Sequence, residues 1–286
     1  MVLNMGLDGS AQDGFIIVDK PPKVICHELT ARIKKLFGVR AGHAGTLDPD
    51  VSGVLPIALG KSTRLLQYIS SNKKKYVGII KFKNKSISDD EVKSLFAEFT
   101  GRIWQTPPLI SAVKKIKRKR TIYYITLIER HGPFVLFETE VEAGTYIRTL
   151  CDDIGKKCGG ARMEELRRTA VGRITEKDAV NLHKLADFYK QDRLKDVIRP
   201  PYEFIDFPRV HINLETAKAV LNGAVIARNG IVSFERFGVQ ELVSVFCKNL
   251  FVGVGSSLVR SKELENLKSG FVISMKRVHV SINELQ

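Results

Sequence analysis

The stretch Gly42–Gly60, GHAGTLDPDVSGVLPIALG, decides how this chain is read. Its first part is dense in glycine, aspartate and small residues, and predicts a loop over 41–53. Its second part, Val54 to Leu59, is a short apolar run that predicts a buried strand. Asp48 is therefore a carboxylate in a glycine-rich loop directly before a rigid strand, beside open space. A turn aspartate capping backbone amides is the commoner explanation of an isolated Asp-Pro, so the weight falls on what accompanies it. The end of the stretch, with Lys61 and Ser62, is not a phosphate loop. Six residues separate Gly53 from Gly60 where that motif needs four.

Working outward, Gly14 to Asp19 reads as a strand ended by Lys20-Pro21-Pro22. Leu29, Ile33, Leu36 and Phe37 recur at helical spacing before Gly38, a plausible stop. Leu65, Leu66 and Ile69 suggest a second helix, and Tyr76 to Phe82 a strand. Ser88-Asp89-Asp90-Glu91 is a capping box opening a helix with an apolar face of Val92, Leu95, Phe96 and Phe99. Strands are expected at 121–129 and 134–142. A helix is expected after Thr145, with Leu150, Ile154 and Cys158 inward. Adjacent strands without a regular strand–helix repeat argue for an α+β fold. From about Asp206 the texture changes to short β-like segments separated by Gly, Asn and Ser, predicting a second, all-β module. The division expected is 1–205 and 206–286.

The chain has 286 residues, with 46 Lys and Arg against 31 Asp and Glu, a net charge of +15. Hydrophobic residues make up 44%, ordinary for a globular protein, which excludes a disordered tail, a collagen or a coiled coil. Residues 73–120 hold 14 basic and 4 acidic side chains, so two-thirds of the excess falls in one-sixth of the chain. Its densest run is Lys114-Lys115-Ile116-Lys117-Arg118-Lys119-Arg120. Two uncompensated basic runs in one segment favour a polyanion partner, and nucleic acid over a membrane surface, which would want an amphipathic basic helix. No apolar run is long enough to span a membrane, and residues 1–11 do not read as a signal peptide. Four cysteines without a CxxC pair argue against a disulfide framework or zinc ribbon and fit a reduced, cytoplasmic compartment. The histidines show no metal spacing, and there is no GxSxG elbow. Gly144-Thr145-Tyr146-Ile147-Arg148 sets a Tyr and an Arg two residues apart, on one face if this is strand. Beside a flipped base, a ring can stack and a guanidinium can hold a carboxylate ionised.

In order, GFIIVDKPP, GHAGTLDPDVSGVLPIALGKSTR, Lys75-Tyr76, PPLISAVKKIKRKRTIYY, VEAGTYIRTL and MEELRRT resemble the motifs of the TruB-type RNA pseudouridine synthases. PPLISAVK followed by a basic stretch is closer to the archaeal–eukaryotic, dyskerin-like branch, the catalytic subunit of box H/ACA ribonucleoproteins. The resemblance implies a catalytic domain with a mixed, largely antiparallel sheet and flanking helices, followed by an RNA-binding PUA-like domain. It implies isomerisation of uridine to pseudouridine in rRNA or tRNA, with no metal or organic cofactor. The implied partners are substrate RNA, an H/ACA guide RNA and small accessory proteins. Asp48 matches the catalytic carboxylate, Arg148 its active-site arginine, Tyr76 the residue that stacks on the target base, and Tyr146 the second aromatic. Lys20 matches a lysine that supports the pocket, His43 a residue near the flipped nucleotide, and Leu166 the apolar residue closing the pocket. Lys114, Lys115, Lys117 and Arg118 match a mobile RNA-contacting loop beside the site. A stand-alone enzyme of the tRNA T-loop and a non-catalytic RNA-binding scaffold are the rival readings. The chain departs from the family where Lys23-Val24-Ile25-Cys26 precedes His27, since the family often has Gly and then Thr-Ser there.

Overall fold

The computed structural model describes residues 13–108 and 114–285. Residues 1–11, read above for a signal peptide, and 109–113 of the PPLISAVK stretch lie outside the described residues. The chain forms two compact units, Met1–Arg199 and Pro200–Gln286.

In the first unit the strands are β1 (Gly14–Lys20), β2 (Ala41–His43), β3 (Ser52–Leu59), β4 (Lys74–Phe82), β5 (Gly101–Gln105), β6 (Arg118–His131), β7 (Phe134–Val141), β8 (Ala161–Val171) and β9 (Ile174–Thr175). They form one sheet in the order β1-β3-β8-β4-β7-β6-β5, with β2 on β3 and β9 on β8. Every pairing is antiparallel except β3 with β8, which run parallel. The helices are α1 (Cys26–Phe37), α2 (Leu66–Ser70), α3 (Asp89–Glu98), α4 (Ile147–Lys157) and α5 (Leu182–Lys190). Burying one stripe of each helix against a sheet face is what drives this packing. Cys26, Leu29, Ile33 and Phe37 of α1, Val92, Leu95 and Phe96 of α3, and Leu150 and Ile154 of α4 join a single core with Tyr76, Ile80, Phe137 and Leu166. Phe96 meets Phe137 edge-on, with centroids 6.2 Å apart.

The expected signals operate locally. Gly38 ends α1 at φ +68°. Ser88 and Glu91 close the capping box that opens α3. Two readings are corrected. The loop of 41–53 contains the short strand β2, and β3 begins at Ser52. The strand expected from 121 begins at Arg118, so the second half of the basic run is paired with β5 rather than lying in a loop. The helix expected after Thr145 is α4, with Tyr146 as its N-cap and Arg148 in its first turn, so the two do not lie on a strand.

In the second unit β10 (Arg209–Ile212), β11 (Ile226–Ala227), β12 (Ile231–Phe234), β13 (Leu242–Cys247), β14 (Leu250–Ser257) and β15 (Phe271–Val278) form a sheet in the order β11-β15-β14-β13-β10-β12. This module is not purely β: α6 (Leu214–Leu221), capped by the Asn213 side chain, packs Ala217 and Val220 into its core.

Candidate active site

Asp48 and Arg148, 100 residues apart in sequence, meet directly. Arg148 Nη2 donates to Asp48 Oδ2 at 2.9 Å, a charge-assisted bond. Both side chains keep access to solvent, at 45% and 37% exposure, so a nucleotide can reach the carboxylate. Arg148 Nε is buried with no hydrogen-bond partner among the described residues.

The loop carrying Asp48 is held at alternate residues by three buried side chains from three elements. Arg168 of β8, 1% exposed, donates from Nη2 to Gly45 O at 3.1 Å and from Nε to Val54 O at 2.8 Å. The Cys26 thiol at the start of α1 donates to Leu47 O at 3.3 Å and accepts from Leu47 N–H at 3.2 Å. Lys20 at the end of β1, fully buried, donates to Pro49 O at 3.0 Å, Val24 O at 2.8 Å and Pro21 O at 2.9 Å. The Lys23 N–H reinforces the last point, donating to Pro49 O at 2.7 Å. Gly53 makes this possible. At φ +107° it pairs with Arg168 so closely that a Cβ would fall 2.1 Å from the Arg168 carbonyl oxygen, so a side chain would push β3 and β8 apart.

Positive charge gathers around this loop. Lys74, also buried, lies with Arg168 against Gly45 and donates to the carbonyls of Ser70 and Asn72. Burial, with the Arg168 charge adding, pushes the Lys74 ammonium down to about 8. Burial likewise lowers Lys20, with Cys26 and Asp50 opposing. His43 on β2 is lowered by burial and then by Arg168 and His27, which favours its neutral form. Its Nδ1 is buried and has no partner among the described residues.

Tyr76 is buried on β4, in register with Arg168 of β8. Leu166 lies opposite Gly78, two residues on along the same face of β4, where a Cβ would fall 2.8 Å from a Leu166 methyl. Tyr146 is fixed through its backbone: Gln105 Nε2 donates to Tyr146 O at 3.1 Å and the Tyr146 N–H donates to Gln105 Oε1 at 3.0 Å. A hollow of about 110 Å³ beside it is lined by Gln105, Pro107, Arg118, Arg120, Gly144 and Tyr146. Lys114, Lys115, Lys117 and Arg118 are exposed, with Lys115 donating to the Pro108 carbonyl. The structure thus joins Asp48 to Arg148 and places Lys20 behind the loop, its donors engaged by carbonyls. Sequence reasoning missed Gln105, Cys26, Lys74 and Arg168. Arg168 lies inside the MEELRRT motif, which was a usable signal; a glutamine before Thr106-Pro107-Pro108 offered none.

Known proteins set this geometry in context. Residues 33–147 match the N-terminal domain of TruB family pseudouridylate synthases, 148–204 the C-terminal domain of tRNA pseudouridylate synthase B, and 208–279 the PUA domain. A Pyrobaculum aerophilum protein named "Probable tRNA pseudouridine synthase B" is 41% identical over 275 residues, covering 92% of this chain and 82% of its own. The chain belongs to the TruB family of pseudouridine synthases. A Methanopyrus kandleri relative of this TruB-family enzyme, with the same name, is 41% identical over 278 residues, 93% of this chain and 82% of its own. Among solved structures, a chain of a Cbf5-Nop10-Gar1 complex superposes with a TM-score of 0.87 at 36% identity, covering 100% of this chain and 92% of that one. A chain of an H/ACA RNP bound to a substrate RNA containing 2'-deoxyuridine gives 0.85 at 36% identity, covering 94% and 85%. The family, the enzyme class and the dyskerin-like likeness expected from the motifs are thereby established, as is an α+β catalytic fold with a PUA domain. No described helix is long and apolar enough to cross a membrane.

Proposed function

We propose that the first unit converts uridine to pseudouridine within RNA, with Asp48 as the catalytic carboxylate. The observation that carries this is the Asp48–Arg148 contact on a loop fastened at 45, 47 and 49 yet open at the carboxylate. The reaction breaks the N1–C1′ bond, turns the uracil and forms a bond from C1′ to C5, after which C5 gives up its proton and N1 takes one up, so that the product is an isomer of the substrate. Attack on C1′ and removal of a sugar proton both call for a fixed carboxylate approachable from solvent. Arg148 orients it by donating to one oxygen and leaves the other for the substrate. Tyr76 stacks on the target base, Tyr146 supplies the second ring, His43 lies near the nucleotide, and Leu166 closes the pocket. Lys20 acts through the loop. The second unit binds RNA as a PUA domain, and the protein works in the cytoplasm.

We further propose that target choice rests with an H/ACA guide RNA and small accessory proteins. The likeness, at 36% identity, to chains in the Cbf5-Nop10-Gar1 and substrate-bound H/ACA structures supports this. The names of the relatives favour a second reading, a stand-alone enzyme acting on tRNA. Mapping pseudouridine after incubation with tRNA, with and without a guide RNA and co-purified small proteins, separates the two. Product on tRNA from the chain alone supports the second. Asp48→Asn should abolish product in either format, and unchanged product would remove Asp48 from its role.

A further inference from the structure

β5 and β6 form a two-stranded ribbon at one end of the nine-stranded sheet, and successive residues along it face opposite ways. One face serves the site, where Gln105 holds Tyr146 and Arg118 and Arg120 line the hollow beside it. The other carries Arg102, Trp104, Lys119 and Tyr123. Trp104 and Lys119 are directly paired across the ribbon. Trp104 is 53% exposed, a large ring left in water. Lys119 Nζ sits 5.2 Å from its centroid and Lys117 Nζ 5.8 Å. Tyr123, 40% exposed at a register shift in β6, has Lys73 Nζ 3.7 Å from its centroid. Two exposed rings, Trp104 with two ammonium groups over it and Tyr123 with one, therefore share one sheet surface.

We infer that this face is a stacking platform for single-stranded RNA flanking the target nucleotide, with Trp104 as its main ring and Tyr123 as its second. The inference rests on the reading above that the substrate is RNA. Its chemistry selects that occupant. Cores of protein–protein interfaces are depleted in lysine, whereas Lys117 and Lys119 flank this ring without pairing to a carboxylate among the described residues. Aromatic faces interleaved with basic side chains suit a strand in which every base offers a π-face and every linkage a phosphate. The ammonium groups over Trp104 hold that place by cation–π attraction, while Lys73 over Tyr123 also pairs with Glu140 at 3.9 Å. A base can displace them, which frees them for the adjoining phosphates. Position fits as well. Trp104 precedes Gln105, so the platform lies on the reverse of the strand that fixes Tyr146.

Trp104 is the only tryptophan in the chain, so its emission reports on this surface alone. The full-length protein is titrated with a short fluorescein-labelled oligoadenylate, which lacks uridine and cannot act as substrate. Tryptophan quenching should saturate with the same midpoint as the anisotropy of the labelled strand. Trp104→Phe should bind within about threefold of wild type, and Trp104→Ala about tenfold more weakly, the loss of one stacked base. Saturated anisotropy with unchanged tryptophan emission would overturn the inference, as would wild-type affinity in Trp104→Ala. A response to co-purified small proteins but not to oligoadenylate would reassign the face to a protein partner. Pseudouridine formation by wild type is measured in parallel on tRNA, with and without a guide RNA and co-purified small proteins. Turnover without quenching refutes the platform alone, and absence of turnover refutes the underlying functional reading.

Discussion

Replacing Cys26 tests how the catalytic loop is positioned. The thiol is buried and makes two contacts with a single residue, donating to Leu47 O and accepting from Leu47 N–H, and Leu47 is adjacent to Asp48. Cys26→Ala removes both and leaves a buried N–H and a buried carbonyl unpaired. Such a deficit costs about 1–3 kcal/mol, and the weakness of thiol hydrogen bonds places it towards the lower end, near ~1 kcal/mol. The kinetic effect should exceed the loss of stability. A shift of about 1 Å in a reacting group costs on the order of 100-fold, so kcat should fall about 10- to 100-fold with KM little changed. Cys26→Ser separates positioning from packing. Its hydroxyl keeps one donor and an acceptor at the same place, and serine is what the family often carries here, so kcat should return to within a fewfold of wild type. The assays are urea denaturation and single-turnover pseudouridine formation. If Cys26→Ala keeps kcat within about twofold, or if Cys26→Ser is as impaired as Cys26→Ala, the thiol does not position the loop.

Three further perturbations probe the surroundings. Gln105→Leu removes both side-chain hydrogen bonds to the Tyr146 backbone, whose carbonyl still accepts from Leu150 N–H; a stability loss of about 1 kcal/mol and a raised KM for RNA are expected, and an unaltered KM would detach Gln105 from the site. Lys74, pushed down to about 8 when folded, keeps its proton to about 10.4 when unfolded, so between those values the unfolded chain binds more protons. Its contribution to stability should therefore rise with pH across that window, by up to about 3 kcal/mol, and a pH-independent stability difference between wild type and Lys74→Met would refute this. Neutralising Lys114, Lys115, Lys117 and Arg118 should weaken RNA binding, reduce the slope of log affinity against log salt by roughly one for each phosphate no longer neutralised, and leave unfolding unchanged; an unchanged slope counts against their role.

Local signals were legible where a few neighbouring residues settle the outcome. The capping box at Ser88, the stop at Gly38 and the helical spacing of Leu29, Ile33 and Phe37 each depend on residues within a turn or three. The motif order also pointed to Asp48 and Arg148. Long-range pairing was less legible. β8 lies inside the sheet between β3 and β4, yet its pattern Ala161–Val171 mixes charged and apolar residues, because Arg167 and Arg168 bond to Asp19 and to the Val54 carbonyl rather than serving a sheet face. The Tyr-x-Arg spacing allowed either strand or helix, and Gln105, 41 residues away in sequence, helps hold Tyr146 as a helix cap together with Leu150 N–H. The helix α6 was missed because eight residues between short β segments carry little periodic signal.

The distribution of cations around Asp48 has its own logic. Lys20, Lys74 and Arg168 are buried, and their donors go to backbone carbonyls rather than to carboxylates among the described residues. Carbonyls satisfy the hydrogen bonds that burial demands without cancelling the charge, so three cationic side chains surround the loop that presents Asp48, with Asp50 as that loop's second carboxylate. A carboxylate placed among them would satisfy the same donors but would neutralise that field and compete for Arg148. The division of labour follows from exposure. The buried cations fix the backbone at 45 and 49 and crowd against Gly45, while among the described residues the half-exposed Arg148 is the cation that pairs with the Asp48 carboxylate. Only the exposed partner has to adjust when a nucleotide enters. A fastened loop behind a half-exposed guanidinium therefore combines fixed geometry at Asp48 with the room that the proposed reaction requires.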